Sequence, residues 1–410
     1  MSELKFSVKK TLIVGFGFLG ISLIWSAYNA YVPIFLKETF HIQSKFIGMI
    51  MSIDNVFQIV LLPYLGALSD RTHTRFGRRK PYILVGTPLA AIFFVLIPVA
   101  NAAQSLSLMM GAVILMNFSM AIFRSPAIAL MPDVTPSKFR SQANGLINLM
   151  GGLGALLAYF GSEPLYNTNP SYPFFAGAGV LMMASAVVIF FVREPKSIKV
   201  ESADEGDTLS SVDELKQNLR EIFKSEKSLL LILLAVFFWF IGFNAIETFF
   251  TSYAKYHLGI AESAGARIIG IFSLTYMITA VPAGMIGGRL GRKTTITFGL
   301  GLLITMMLLV LFVNQTALVS LLFAFSGFGW ALINVNSFPM VVDMTDDNQV
   351  GGFTGLYYFF AQAGSIIAPV FAGWIIDIMG YGSLMGICAS FFIVALAAIS
   401  GVKRGEAKEK

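Results

Sequence analysis

The residues Gly-Ala-Leu-Ser-Asp-Arg at 66–71 and Phe-Gly-Arg-Arg-Lys-Pro at 76–81 form a short basic turn between two long apolar segments. A fainter copy, Gly-Met-Ile-Gly-Gly-Arg-Leu-Gly-Arg-Lys, occupies residues 284–293, which is 218 positions later when Gly66 is aligned with Gly284. Two basic turns at equivalent places in the two halves of a chain indicate a duplicated architecture. The second copy has Gly288 where the first has Asp70, so the two turns differ in chemistry.

Composition places the chain in a membrane. Of its 410 residues, 56% are hydrophobic and only 13% are charged, whereas a soluble domain of this size needs more polar surface. The apolar runs are continuous rather than alternating and reach the ~20 residues that a transmembrane helix needs, so helices are predicted rather than barrel strands. Twelve spans are predicted, at residues 11–36, 46–68, 81–100, 106–131, 141–161, 172–192, 228–255, 265–287, 294–313, 316–342, 351–376 and 382–402.

Lysine and arginine residues are distributed unequally over the two sides of these spans. The net charge of +6 alone would be compatible with a nucleic-acid partner, but the placement of the charges indicates membrane topology instead. All but five of the 29 Lys and Arg residues lie on the side of the amino terminus; the exceptions are Lys37, Lys45, Arg124, Lys255 and Arg267. An excess of positive charge marks the cytoplasmic side, so a multi-pass protein of the cell membrane with both termini in the cytoplasm is predicted.

A polar stretch divides the spans six and six. We predict an amino-terminal bundle at 1–193, a cytoplasmic linker at 194–227 with an amphipathic helix that is either structural or regulatory, and a carboxy-terminal bundle at 228–410. The halves also resemble each other beyond the basic turns, with Arg-Ser-Pro at 124–126 and Ser-Phe-Pro at 337–339, each followed by a glycine-rich span. Small residues and internal repeats are typical of secondary transporters. The fold class predicted is an all-α membrane protein of twelve transmembrane helices in two pseudo-symmetric six-helix bundles around a central pathway.

The basic turn resembles the signature loop of the major facilitator superfamily, with Thr-His-Thr-Arg at 72–75 inserted before the Gly-Arg-Arg portion. The longer form, together with Arg-x-Pro-x-x-Ala-Leu-x-x-Asp at 124–133, Arg-x-x-Ala-Asn at 140–144 and Gly-Trp-Ala at 329–331, resembles the sucrose-transporter-like branch of glycoside–cation symporters. This resemblance implies the major facilitator fold, alternating access, a sugar as substrate and a proton as coupling ion.

The residues of the basic turn are candidates for a cytoplasmic gate. Asp70 ends the second span where the eleventh should begin, and a carboxylate there is favoured by the partial positive charge of a helix start. The arginines either pair with Asp70 and Asp133 as a latch or only set the topology. The candidate gate residues are Asp70, Arg71, Arg78, Asp133 and Arg140, with Asp343 as a further candidate acting against the fifth span.

Charged side chains inside the spans are candidates for coupling. An intramembrane arginine is costly, so Arg124 should face a cavity and a polar or anionic partner; a structural ion pair is the alternative. Asp54 lies ~22 Å from Ser69 along the second span, and a carboxylate in a low-dielectric cavity can load a proton near neutral pH. Glu247 in the seventh span is the rival carrier.

A sugar pocket needs amides and carboxylates for hydroxyl groups and aromatic faces for the apolar side of the ring. Polar and aromatic residues at helical spacing within the spans meet that description, although each can equally serve helix packing. The candidate substrate-binding residues are Trp25, Tyr28, Asn29, Gln58, Asn117, Asn144, Asn148, Asn244, Trp330, Asn334, Tyr357, Tyr358 and Gln362.

Several functions are excluded by missing patterns. The chain has no nucleotide-binding loop, no nucleophile–base set and no metal-ligand cluster, so no enzyme, metal or cofactor is predicted. We expect a monomeric importer of a sucrose- or maltose-like glycoside, coupled to protons, in contact with the lipid bilayer and with no nucleic acid. The alternatives are a proton-driven exporter of amphipathic compounds and a membrane receptor that does not transport.

Overall fold

The structure is a computed structural model that describes residues 7–136, 139–194, 227–344 and 350–403. Helices joined by short turns make up this part of the chain, because a bilayer leaves no other way to satisfy the backbone within one segment. In the amino-terminal half they are α1 (Val8–Glu38), α2 (Ser44–Met51), α3 (Ile53–Arg71), α4 (Lys80–Ala102), α5 (Leu106–Val134), α6 (Arg140–Thr168) and α7 (Tyr172–Phe191). In the carboxy-terminal half they are α8 (Lys227–Tyr256), α9 (Glu262–Leu290), α10 (Arg292–Val310), α11 (Thr316–Val342), α12 (Val350–Met379), a 3₁₀ turn (Tyr381–Ser383) and α13 (Leu384–Ser400).

Twelve candidate membrane spans are present among the described residues, as the hydropathy pattern predicts. Eleven of them are single helices or a helix with its preceding 3₁₀ turn, and the second span is made of α2 and α3 together. The predicted all-helical fold class with twelve spans is therefore confirmed. The predicted linker helix lies within residues 195–226, outside the described part of the chain.

The second span is interrupted, which the sequence pattern does not indicate. Ser52 separates α2 from α3 and lies at the amino-terminal cap of α3. The Ser52 carbonyl accepts from the N–H of Val56 at 3.1 Å, so α3 begins its own hydrogen-bond ladder there. Ser52 keeps right-handed helical dihedrals, with φ of −82° and ψ of −9°, so the interruption is confined to this residue within one 28-residue span.

The chain divides into two compact units. Unit 1 comprises Met1–Gln43, Ile50–Ile198 and Ala261–Gly270, and unit 2 comprises Ser44–Met49, Lys199–Ile260 and Ile271–Lys410. These units follow the two halves of the sequence except for two short segments, Ser44–Met49 and Ala261–Gly270. The division into bundles at 1–193 and 228–410 stays a prediction.

Unit 1 is built around α1, which packs against α6 and α7, while α4 packs against α5 and α7. Its core contains the fully buried aromatic side chains of Tyr28, Tyr31, Phe94, Phe123 and Phe174. The rings of Phe94 and Phe174 lie 4.8 Å apart, and Tyr31 stacks on Tyr166 at 4.3 Å. Aromatic packing of this kind holds the helices at fixed rotations.

Unit 2 is organised around α8, which packs against α12 and α13, while α10 packs against α11 and α13. Its core also contains fully buried aromatic side chains, here Trp239, Phe249, Phe250, Phe323 and Phe392. Phe250 and Phe323 join α8 to α11 with ring centroids 4.2 Å apart.

Glycines allow the closest helix contacts in unit 1. A Cβ at Gly154 of α6 would lie 2.1 Å from the carbonyl oxygen of Leu19 in α1, so only glycine fits there. Gly145 of the same helix has open space around the position of a Cβ. Substituting alanine at Gly154 therefore tests helix packing, whereas the same substitution at Gly145 tests helix propensity alone.

We expect Gly154→Ala to lower the thermal unfolding midpoint of the purified protein in detergent, because overpacking typically costs about 1–3 kcal/mol. Gly145→Ala serves as the matched control and should be neutral or slightly stabilising, since alanine favours helix by up to ~1 kcal/mol over glycine. Equal midpoints for the two variants would contradict the close contact between α1 and α6.

Candidate functional site

The basic turn folds into a network of ion pairs within unit 1. Arg79 is only 4% exposed and donates from Nε to Asp133 at 2.9 Å, and its guanidinium also contacts Asp70 and the Ser69 hydroxyl. Arg78 donates from Nε to the same Asp133 carboxylate at 3.2 Å and lies 3.5 Å from Asp70. The turn therefore connects the end of α3 to the end of α5 through two arginines shared by two carboxylates.

Glu194 is a functional-site candidate that the sequence pattern does not reveal. Its carboxylate accepts from the backbone N–H groups of Arg78, Arg79 and Lys80 at 2.7, 3.0 and 2.8 Å. These groups start α4, where amides have no intrahelical partner and the helix dipole favours negative charge. Gly77, with φ of +111°, brings the chain close enough that a Cβ there would lie 2.5 Å from the Glu194 carboxyl carbon.

The other candidate gate residues have separate contacts. Arg71 is exposed, and its carbonyl oxygen lies 2.9 Å from Nδ1 of His73. Arg140 is exposed and donates to the backbone carbonyl of Pro132 at 3.3 Å. Asp343 in unit 2 forms an ion pair with Arg292. Of the arginines predicted to pair with Asp70 or Asp133, Arg78 contacts both carboxylates. The gate role of all six residues stays a prediction.

A second group of polar residues lies within the spans of unit 1. We call it the unit 1 polar cluster, and it consists of Trp25, Tyr28, Asp54, Asn117 and Arg124, with Gln58 as a hydrogen-bond donor to Asp54. Asp54 lies in the first turn of α3, directly after the break at Ser52, and accepts from Gln58 Nε2 at 3.3 Å. The charge of Asp54 acts on the Tyr28 hydroxyl and on the Arg124 guanidinium. The three helices α1, α3 and α5 thus bring one carboxylate, one guanidinium and a phenol together.

Several polar atoms of the unit 1 polar cluster are buried without a hydrogen-bond partner in the described part of the chain: Trp25 Nε1, the Tyr28 hydroxyl and Asn117 Oδ1. The Tyr28 hydroxyl lies near the Asn117 side chain but not in hydrogen-bond geometry, and the Asn117 amide nitrogen donates to the carbonyl of Val113 at 2.8 Å. Trp25 meets Tyr28 edge to face at 5.7 Å. Buried polar atoms of this kind normally bind a partner, so a hydroxylated ligand or water suits them.

The remaining unit 1 candidates lie in less enclosed positions. Asn29 is half-buried on α1, whereas Asn144 and Asn148 are exposed on α6. Their substrate-binding role stays a prediction.

The unit 2 candidates are largely engaged in contacts within their own unit. Asn244 donates to Ser365 at 3.0 Å, and Asn334 accepts from Tyr276 at 3.3 Å. The Tyr357 and Ser337 hydroxyls are 2.9 Å apart. Glu247 is half-buried on α8, one turn after Asn244, and Gln362 is half-buried on α12, where Tyr358 is exposed.

Trp330 is 4% exposed, and its ring stacks on Phe243 with centroids 4.2 Å apart and an interplanar angle of 6°. Phe240 meets the same ring edge-on at 5.6 Å. The sequence analysis did not predict Phe240 and Phe243 as partners of Trp330, nor Tyr276 and Ser365 as partners of Asn334 and Asn244. Each of these partners lies on a different helix from the residue that it contacts and belongs to no recognisable motif.

The chain matches the family model described as MFS/sugar transport protein over residues 13–399. The protein belongs to this family. The match covers nearly the whole chain, so the major facilitator resemblance and the prediction that the chain is a transporter rather than an enzyme are confirmed. It is a multi-pass membrane transporter for a small-molecule substrate.

Three curated relatives illustrate the range of this similarity. The isoprimeverose transporter of Lactiplantibacillus pentosus is 22% identical over 292 residues, which cover 68% of this chain and 59% of that protein. The tetracycline resistance protein, class B, of Escherichia coli is 24% identical over 357 residues, covering 86% of this chain and 84% of that protein. The lactose permease of Citrobacter freundii is 24% identical over 402 residues, 94% of each chain.

The fold is also that of a solved transporter structure. A crystal structure of the nucleoside transporter NupG superposes with a TM-score of 0.78, at 14% identity, covering 96% of this chain and all of that chain. The predicted major facilitator fold is therefore confirmed.

We expect Arg79→Lys to destabilise the transporter, because a lysine cannot reproduce the guanidinium contacts with Asp70, Asp133 and Ser69, and lost charged hydrogen bonds cost about 1.5–3 kcal/mol. Arg71→Lys is the matched control, since Arg71 is exposed. Thermal unfolding of both purified variants measures the difference. A midpoint for Arg79→Lys equal to that of Arg71→Lys would contradict the network.

Proposed function

We propose that this transporter imports a glycoside or disaccharide together with protons by alternating access. The observation that most supports the proposal is the unit 1 polar cluster, in which Asp54 interacts with Arg124 beside buried polar atoms of Trp25, Tyr28 and Asn117. A sugar hydroxyl is a suitable partner for an indole N–H, a phenol and an amide oxygen. The family description and two relatives named for sugars, isoprimeverose and lactose, support a sugar over other solutes.

In this proposal Asp54 takes up the coupling proton. Asp54 is half-buried in the first turn of α3, and its charge interacts with the Arg124 guanidinium of α5. A substrate that alters this interaction can change the proton occupancy of the carboxylate, which is what symport requires. Glu247 in unit 2 remains the rival carrier.

The orientation and the gate belong to the same proposal. With both termini in the cytoplasm, the Asp70 network lies at the cytoplasmic ends of α3 and α5, next to Glu194 at the end of α7. Arg78 and Arg79 then hold Asp70 and Asp133 in one ion-pair network, to which we assign the gate. The sucrose-transporter-like branch is part of this proposal as well.

A second candidate function is a proton-driven exporter of amphipathic compounds. The tetracycline resistance protein among the relatives favours it. The polar atoms of Trp25, Tyr28 and Asn117 weigh against it, because an amphipathic compound would leave several of them without partners.

Purified transporter in liposomes should take up protons when the transported glycoside is added from a panel of disaccharides. Asp54→Asn should abolish this uptake, because an amide cannot carry the proton, and Glu38→Gln should leave it intact as a control, since Glu38 is an exposed carboxylate at the end of α1. If Glu247→Gln abolishes uptake while Asp54→Asn does not, the carrier is Glu247. A complete panel that moves no protons would reject symport.

Sugar affinity should depend on Trp25. Trp25→Phe keeps the aromatic ring and removes Nε1, so we expect the Kd of the bound disaccharide to rise about fivefold to tenfold, the size of one lost hydrogen bond. Trp374→Phe is the control, because Trp374 is 51% exposed on α12. Calorimetric titration measures both. Equal affinities in the two variants would remove Trp25 from the binding site.

A further inference from the structure

Three helices of unit 1 leave an apolar groove between them. α1 packs against both α6 and α7, whereas these two helices have less contact with each other. The space between them is a cavity of about 180 Å³. We call it the unit 1 groove and define it by Leu23 and Ala27 of α1, Gly161 and Ser162 of α6, and Ala176 and Gly177 of α7.

Small residues create the unit 1 groove. A Cβ at Gly161 would have no atom of another helix within 4 Å among the described residues, so the wall formed by α6 stands back from its neighbours. A Cβ at Gly177 would lie 3.1 Å from the Leu23 side chain, so the floor is closely packed. The groove is therefore a recess with a packed floor and free space above it.

The unit 1 groove has too few polar groups to hold water. Ser162 is the one polar side chain among its lining residues, and its hydroxyl already lies 2.6 Å from the Tyr31 hydroxyl. A buried water normally needs about two to four polar partners. An apolar cavity of about 150 Å³ stays dry and can bind a benzene-sized ligand. The unit 1 groove is slightly larger than that, so an apolar ligand suits it.

The unit 1 groove opens away from α1, on the surface of α6 and α7. Leu23 and Ala27 at its floor are buried, whereas Leu157, Gly161 and Ala176 at its rim are exposed. Gly161 and Ala176 lie roughly 6–10 Å inside the end of α6 and the start of α7, at about 1.5 Å per residue. Because α6 is the fifth span, this depth lies in the half of the membrane farther from the amino terminus. The opening is therefore within hydrocarbon, beside apolar side chains.

We propose that the unit 1 groove is a binding site for one acyl chain of a membrane phospholipid. A helix of a second copy is about 10–12 Å wide, which is too wide for a recess of this volume. An acyl chain is narrow and apolar, and hydrocarbon surrounds the span at this depth. Tyr172 is exposed at the start of α7, one turn before Ala176, and tyrosine favours the headgroup region. The ester end of the lipid therefore lies near Tyr172, and the chain runs from there into the groove.

A bound acyl chain also supports α1. Leu23 and Ala27 are four residues apart, so they share one face of that helix. Trp25 and Tyr28 of the unit 1 polar cluster lie on other faces of the same helix. A chain packed on the floor of the groove therefore braces α1 from behind the cluster. The lipid site is separate from the proposed substrate site, so its test requires no sugar.

Photo-crosslinking with a labelled lipid tests the site. The full-length protein is placed in nanodiscs of phosphatidylcholine, a small fraction of which carries a diazirine on one acyl chain, and the adducts are mapped by mass spectrometry. We expect adducts on Leu157 and Val180, which line the groove. Gly161→Phe fills the free space and should lower their yield about tenfold, equivalent to ~1.4 kcal/mol. Ala176→Phe closes the groove from α7 and should give the same loss, should Gly161→Phe fail to fold.

Gly111→Phe is the matched control. Gly111 of α5 also has open space at the position of a Cβ, and it does not line the groove. This substitution adds the same side chain elsewhere on unit 1, so it should leave the adducts on Leu157 and Val180 unchanged.

Three outcomes would overturn the proposal. The first is an unchanged yield of groove adducts in both Gly161→Phe and Ala176→Phe. The second is a wild-type yield in the groove no higher than at Phe298, an exposed residue of α10, because that would mean annular lipid only. The third is a disulfide-linked dimer of Gly161→Cys in a Cys388→Ala background, which would assign the groove to a second copy of the chain.

Discussion

Hydrocarbon supplies no hydrogen bonds, so each backbone amide within the bilayer must find its partner inside the chain. The described spans of this transporter satisfy the rule by being helical. The second span differs from the others because it is made of two helices, which are separated at Ser52. The second helix of that span starts there, and the acidic side chain of Asp54 occupies its first turn. The charge of Asp54 acts on the buried Tyr28 hydroxyl of α1, so the polar group next to the interruption has a polar neighbour.

Carboxylates at helix starts recur throughout the molecule and perform different tasks. Glu194 binds three amides at the start of α4 and so fixes the basic turn. Asp377 binds two amides at the start of α2 and holds that segment in unit 2. Asp54 lies in the first turn of α3. A charge near a helix terminus is worth about 0.3–1 kcal/mol when exposed and up to ~2 when partly buried. Interactions of that size stabilise one arrangement without making it permanent, as a protein with several conformations requires.

The spans and part of the basic-turn network were predictable from the sequence. The contacts that were not predicted have a common cause, because each joins residues that lie far apart in the chain. The spans follow from hydropathy, and the basic turn with Asp133 identified a network that the structure contains, including both contacts of Arg78. Glu194 was missed because its partners lie 115 residues away in sequence, at no recognisable spacing. Arg79 was not named among the candidate gate residues, although it is the buried member of the turn. In unit 2, Asn244 and Asn334 were recognised as polar residues within spans, but their partners Ser365 and Tyr276 were not.

By itself the sequence determined the twelve spans, the internal repeat, the family and the sidedness hypothesis, because apolar length and charge placement are properties of each segment alone. Only the tertiary structure decided which carboxylate binds which helix start, that α2 breaks before Asp54, and that two helix starts change units. Those outcomes depend on the rotation and approach of helices far apart in the chain, down to the ångström at which Gly373 rather than alanine is required. Local pattern does not contain that information, since it arises only when the helices pack.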